Sequence, residues 1–438
     1  MKKLLLPFFL FPCLTLCAQT TKSEVLQDVR QTGGTYFAYQ APASEISLPP
    51  TGYVPFYISH YGRHGSRYMD SFKYYERALR YLSLADTMGI LTGYGKDVLA
   101  RVRAASIDAI DRDGDLTRLG GEQHQGIAAR MYERCSEAFS EGAQVHAIAS
   151  QSRRCIVSMG NFCMSLKDKA PAADIFMETS KRYMYYIAAG TKEFAATHQD
   201  SVYEQKTHDF EKRLFNADRL MSSLFIGKGY PKHHSQQEQL MWALFKIAID
   251  LQGLPELSIT LWDAFTDDEL FAMWQMDNVS WCRSIGLFPG CAPRYKAHYP
   301  LVRDIISKAD SVISCGGHGA DLRFGHDAMI VPLAYIMQLD ECRNIPTDFH
   351  ELYKYFSSYK ITPMAANIQL IFYKNASNDI LVKILHNERE SSVPLKTDCF
   401  PYYRWKDLKQ YLENRMSNEK SLLLYRCLSL SQHRNRVF

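Results

Sequence analysis

Stretches with strand-like and helix-like apolar spacing alternate along this chain. Tyr53 to Ser59 (YVPFYIS) is a short β-rich run that ends at a cluster of Gly, Arg and His. Phe72 to Met88 sets Tyr75, Ala78, Leu79 and Leu82 at helical spacing, and Gly120 to Phe139 predicts a second helix. Val145 to Ser150 (VHAIAS) predicts a strand, followed by a helix over Arg154 to Leu166. From about Asp209 to Cys282 the pattern is mostly helical and rich in Leu, Met, Trp and Phe. Ala320 to Phe324 reads as a strand with a helix after it over Met329 to Leu339. Asn367 to Tyr373 and Ile380 to Leu385 predict two strands around the polar turn Lys374–Asp379. Strands separated by helices, with one long helical stretch among them, predict an α/β fold: a central mixed sheet flanked by helices, with an inserted α-helical cap domain. The expected division is 19–175 and 300–438 for an α/β domain split in sequence, and 176–299 for the cap, with 70–115 as a candidate addition to it.

The N-terminus reads separately. Met1-Lys2-Lys3 is a short basic start, Leu4 to Leu16 an apolar run, and Cys17-Ala18-Gln19 leads into polar sequence. That order is the order of a secretory signal, so 1–18 is expected to be removed after Ala18. The run is too short for a transmembrane helix, which needs about 20 residues. The expected location is therefore exported, periplasmic or secreted. Acylation of Cys17, giving a lipoprotein anchor, is the alternative, with Leu16 standing where a small residue is preferred.

Composition narrows the classes. In 438 residues, 46% are hydrophobic and 13% aromatic, enough to fill a sizeable core and to exclude general disorder. Fifty-one Lys+Arg against 47 Asp+Glu leaves a net charge of only +4, far from the basic excess of a nucleic-acid binder. No nucleic-acid partner and no integral membrane segment are expected. Of 11 cysteines, nine lie beyond the signal, none in CxxC spacing, and no Cys/His cluster has zinc-site spacing. Export favours disulfides, and Cys282 with Cys291, around a short Gly/Pro loop, is the first pair expected.

The chemistry begins where the first strand ends, at His60-Tyr61-Gly62-Arg63-His64-Gly65-Ser66-Arg67-Tyr68. Two arginines flank a histidine, and their planar forks suit phosphate oxygens. Neighbouring cations keep His64 neutral, as a nucleophilic imidazole must be. A second cluster, Leu322-Arg323-Phe324-Gly325-His326-Asp327, puts a His-Asp pair after a strand-like run. Phosphoryl transfer needs stabilisation of the equatorial oxygens and a proton for the leaving oxygen, roles open to His326 and Asp327. Asp327 at a helix start is equally a helix cap. Arg153-Arg154 follows the strand VHAIAS, and one of the two can reach the same phosphate.

These residues together resemble a known family. Arg63-His64-Gly65-Ser66-Arg67 resembles the RHGxR signature of the histidine phosphatase superfamily, and His326-Asp327 the HD motif of its acid phosphatase and phytase branch. Arg154-Cys155 with Ser158 and Phe162 is similar to the segment that supplies a third phosphate-binding arginine. Leu116-Thr117, Gly120 and Gln123 are similar to another recurrent segment. Leu322 to Leu333 resembles the multiple inositol polyphosphate phosphatases in particular. The resemblance implies His64 as nucleophile through a phosphohistidine, Asp327 as proton donor, and His326 with Arg63, Arg67 and Arg154 around the phosphate. It implies no metal and no cofactor, and a phosphorylated small molecule as substrate. Two departures count against phytate in particular. The inositol polyphosphate branch usually reads HAE where this chain has His326-Asp327-Ala328, and Met69 stands where that branch often has proline.

The implied function is a secreted histidine-type phosphomonoesterase, acting on inositol polyphosphates (phytate) or related organic phosphates. The alternatives are a broad-specificity acid phosphatase and a phosphoglycerate-mutase-like phosphotransferase, with a binding protein lacking turnover as a third class. A polyanionic substrate would draw on rim cations such as Arg101, Arg103, Arg112, Lys181 and Arg182. Gly89 to Lys96 misses P-loop spacing by one residue, and GxSxG and HExxH are absent.

Overall fold

The computed structural model describes residues 19–43, 46–190, 192 and 194–417. The expected signal over 1–18, with Cys13 and Cys17, and Cys427 lie outside them.

A single mixed sheet forms the centre. Its strands are β1 (Val54–Arg63), β2 (Gln144–Ala149), β3 (Asp174–Glu178), β4 (Gly319–Gly325), β5 (Asn367–Lys374), β6 (Ile380–His386), β7 (Arg389–Glu390) and β8 (Tyr402–Arg404). They are ordered β3-β2-β4-β1-β5-β6-β7, with β8 also on β6. β1, β2, β3 and β4 run parallel, and β5 turns the sheet antiparallel at β1. β1 is buried along nearly its whole length because it has a neighbour on each edge and helices on each face. Its alternation sends Tyr57 and Tyr61 into one core and Ile58 into the other.

The helices follow the sequence order closely: α1 (Lys73–Thr87), α2 (Gly93–Ala109), α3 (Arg118–Arg134), α4 (Arg153–Lys169), α5 (His198–Leu214), α6 (Asp218–Leu224), α7 (His234–Leu251), α8 (Asp267–Ile285), α9 (Tyr299–Cys315) and α10 (Asp327–Met337). α3 and α4 cover one face of the sheet, while α9 and α10 cover the other. A third core is mostly helical, built from apolar residues of α1, α2, α6, α7 and the first half of α8, with Tyr68, Met69, Leu91, Phe225, Leu254, Leu261 and Phe265 from the loops between. Each fully buried large side chain there contributes about 1.5–3 kcal/mol of burial free energy.

Three expectations need correction. β1 does not stop at Ser59 but runs on to Arg63, because β4 and β5 pair with residues 60–62 on both edges and His60 packs between Phe162 and Phe324. The boundary set at residue 176 falls inside β3, which pairs with β2 and so belongs to the sheet. Cys282 and Cys291 form no disulfide. Cys282 points from the end of α8 into the core, where Cys342 lies close enough to act on it, whereas Cys291 faces Asp200.

Candidate functional site

Parallel strands bring their carboxyl ends to one edge, and that edge is where ligands sit in α/β sheets. Register places Arg63 of β1 beside Gly325 of β4, and Ala149 of β2 beside Phe324. The chain segments that follow these three strands therefore converge: His64–Arg67, Ser150–Arg154 and His326–Asp327.

The turn after β1 is locked by its backbone. The N–H of His64 donates to Gly325 O at 3.0 Å, and the N–H of Ala365 donates to His64 O at 2.9 Å. The N–H of Gly65 donates to Ser158 Oγ, and that of Ser66 to Gln123 Oε1, at 3.1 and 2.8 Å. Thr117 donates from both its N–H and its Oγ to Ser66 O. Gly65 is obligatory: a Cβ there would stand 2.3 Å from the carbonyl oxygen of Gly120, at the start of α3.

His64 is completely buried, and its Nδ1 lies 2.9 Å from Gly65 O. A carbonyl can only accept, so Nδ1 carries the proton and Nε2 keeps its lone pair. Burial, followed by Arg63, Arg67 and Arg154, holds its pKa well below the usual histidine range. The ring meets that of His326 edge to face at 5.8 Å.

The three arginines differ in how they are held. Arg63 is fully buried and donates from Nη1 to Thr35 O and Thr362 O, the latter at 2.8 Å. Its Nη2 is 2.7 Å from Asp327 Oδ2, an ion pair without hydrogen-bond alignment, and its Nε has no partner. Arg67 donates to Tyr68 O and its guanidinium carbon lies 4.8 Å from the centre of the Tyr36 ring. Arg154 is half-buried at the first turn of α4 with Nε unpartnered, whereas Arg153 is exposed and paired with Asp115. The structure thus separates the two arginines that the sequence left open. Among the described residues, Asp327 is the only carboxylate in ion-pair contact with this trio.

His326 occupies the N-cap position of α10 and Asp327 its first turn. His326 Nε2 lies 2.9 Å from Ser150 Oγ, and the main-chain N–H of His326 donates to the Tyr61 hydroxyl at 3.3 Å. Burial, against the pull of Asp327, takes its pKa down to about 4, so the ring is neutral at neutral pH. Asp327 accepts from the N–H of Ala328 at 2.8 Å. Burial raises its pKa, but Arg63, Arg67 and His326 outweigh that and hold it below the ordinary carboxylate value.

All six site residues expected from sequence are brought together. Sequence reading missed Ser150, Tyr36, Tyr61 and Asp250, the last a fully buried carboxyl on α7 that takes a hydrogen bond from Tyr75 and acts on Arg67. Among the described residues no group of three His, Cys, Asp or Glu is placed to hold a metal, and no helix is long and apolar enough to cross a membrane.

No family model matches the chain, and no curated protein matches it by sequence. Solved structures do match its fold. The multiple inositol polyphosphate phosphatase of Bifidobacterium longum, in complex with inositol hexasulfate, superposes with a TM-score of 0.68 at 19% identity, covering 87% of this chain and 97% of that one. The phytase of D. castellii gives 0.61 at 15% identity, over 89% and 85%. The phytase of Hafnia alvei gives 0.53 at 13%, over 84% and 98%. The chain therefore has the fold of this inositol polyphosphate phosphatase and these phytases over most of its described length.

Proposed function

We propose that this chain is a histidine-type phosphomonoesterase that works through a phosphohistidine. The observation that carries the reading is the tautomer of His64: its Nδ1–H is committed to Gly65 O, leaving a lone pair on Nε2 within a cluster of three arginines. The fold shared with phosphatases supports the same reading.

In the first half-reaction, Nε2 forms a bond to phosphorus while the ester P–O bond breaks. Arg63, Arg67, Arg154 and His326 hold the equatorial oxygens, and Asp327 gives its proton to the departing alkoxide. In the second, water attacks phosphorus, the carboxylate of Asp327 takes its proton, and the P–N bond breaks to release phosphate. Asp327 is ionised against Arg63 in the ligand-free site, so it acts as an acid only in the complex. A phosphate dianion that takes over Arg63 weakens that hold and raises the carboxyl pKa.

Inositol polyphosphates (phytate) or related organic phosphates are the proposed substrates. One observation favours the broader reading, an acid phosphatase of wide specificity. Three of the cations expected at a polyanion rim are paired internally: Arg101 with Asp97 and Asp263, Arg103 with Asp86, and Arg112 with Asp108. The helical unit built from 68–109 and 217–276 is proposed as the cap, and the sequence of 1–18 supports export of the protein. The test is His64→Ala. Hydrolysis of a chromogenic phosphomonoester should fall by about 10⁴-fold or more; a variant that keeps substantial turnover overturns the nucleophile assignment.

A further inference from the structure

A cavity of 640 Å³ lies between α1, α5, α7 and α8, and none of the six site residues lines it. α7 connects the two places. Asp250, Lys246, Trp242 and Gln239 recur three or four residues apart and so share one face of that helix. Asp250 acts on Arg67 at one end of this stripe, while Trp242 and Gln239 line the cavity at the other. Lys246 stands between them.

The setting of Lys246 is unusual for a lysine. Its side chain is only 13% exposed, and its ammonium lies 5.8 Å from the Tyr36 ring and 4.9 Å from the Trp242 ring. The same Tyr36 ring carries Arg67 at 4.8 Å, so the two cations are no further apart than the sum of their distances to that ring. An ammonium has three N–H donors. Among the described residues Lys246 makes no hydrogen bond, and its one ion pair, to Asp277 Oδ1, is 3.8 Å long. Asp277 also lines the cavity and faces Gly34, next to the Thr35 carbonyl that holds Arg63. A screened ammonium with unused donors, one aromatic ring away from a phosphate-binding arginine, is suited to a second anion on the same ligand.

Resting on the phosphatase reading above, we propose that Lys246 is the specificity-determining residue for a second phosphoryl group on the leaving-group side of the substrate, and that Asp277 competes for it. The two residues then act with opposite sign. Lys246 favours substrates with several phosphates over monophosphates, and the carboxylate of Asp277 limits that preference by neutralising the lysine and repelling the incoming anion.

The experiment compares the wild type, Lys246→Met and Asp277→Asn on 4-nitrophenyl phosphate and on phytate, at fixed pH and salt, with melting curves for each protein. A charge-assisted contact corresponds to roughly tenfold or more in affinity, so Lys246→Met should raise KM for phytate by about that factor and leave the aryl ester within about twofold. Asp277→Asn should lower KM for phytate and leave the aryl ester unchanged. Equal losses on both substrates in Lys246→Met, or a raised phytate KM in Asp277→Asn, overturn the proposal and make the pair structural. If Lys246→Met does not fold, the sign of the Asp277→Asn effect decides alone. Wild-type turnover of the aryl ester without turnover of phytate also overturns the proposal. Wild-type protein inactive on both substrates defeats the phosphatase reading itself.

Discussion

Two arginines on neighbouring strands, Arg63 on β1 and Arg323 on β4, are both almost wholly buried, and they are treated in opposite ways. Arg323 is satisfied: Asp304 takes its Nε and Nη2 at 2.8 and 2.6 Å, and Nη1 donates to Ser59 Oγ and to Asp321 O. Burial lowers its pKa, but Asp304 and Asp321 more than reverse that. Arg63 has two main-chain carbonyls and one poorly aligned carboxylate; burial first, and then the guanidiniums of Arg67 and Arg154, push its pKa down despite Asp327. The same side chain is therefore a finished ion pair in one strand and an under-neutralised charge in the next. The difference teaches where an external anion is expected: at the charge the protein has left without full compensation.

That contrast can be broken from either side. Arg323→Met strands Asp304 and should cost about 3–5 kcal/mol of stability, read in denaturant unfolding, while kcat/KM per folded molecule stays near wild type. A large loss of turnover in the folded fraction would erase the distinction between the two arginines. Asp327→Asn removes the carboxylate that faces Arg63. Hydrolysis of an alkyl phosphate should fall by about 10²-fold or more, and that of a nitrophenyl ester far less, since only the poor leaving group needs the proton. The pH profile carries the sign. An acid must be protonated to act, and the Asp327 pKa is depressed, so kcat/KM for the alkyl ester should decline as pH rises from the acid side. The kcat limb should lie at higher pH, because bound phosphate relieves the pull of Arg63, and Asp327→Asn should flatten both. The smallest expected effect sharpens the comparison most. Arg154→Gln should raise KM by about tenfold yet leave the melting temperature unchanged or slightly higher, because it relieves repulsion among three like charges. Inorganic phosphate should stabilise the wild type more than this variant in the same melts.

Much of this organisation is legible in the sequence, for identifiable reasons. β4, β5 and β6 are short apolar runs bounded by turns, and α1, α4 and α10 carry their buried residues at helical spacing. α9 was not read from the sequence, although Leu301, Val302, Ile305, Ile306 and Ala309 form one stripe at helical spacing, because no chemical motif draws attention to it. The site was legible wherever its residues follow a strand directly, as His64 and His326 do, or open the helix after one, as Arg154 does. What was not legible comes from remote segments. Tyr36 reaches Arg67 from the end of a short, kinked 3₁₀ helix (Val29–Tyr36), and Asp250 and Lys246 look like ordinary polar positions of an amphipathic helix until that helix is placed over the site. β1 was read too short because His60 and Arg63 are polar, and their burial depends on Phe162, Phe324, Thr35 and Thr362, which only the fold assembles. The cysteines misled for a similar reason: export makes disulfides plausible, but pairing depends on where side chains point.

The contact of Gly65 with the Gly120 carbonyl has a consequence for how such a site can change. Where side chains set a position, a poor fit is absorbed by a rotamer shift or a neighbour of another size. At Gly65, beside the side-chain bonds from Thr117 and Gln123 to Ser66, one main chain rests directly against another, so at that point there is no adjustable part between the turn that carries His64 and the helix that backs it. The location of His64 is set by the packing of α3 on the sheet. Substitutions can therefore rework the cavity walls residue by residue, but the His64 ring moves only if a whole helix moves with it.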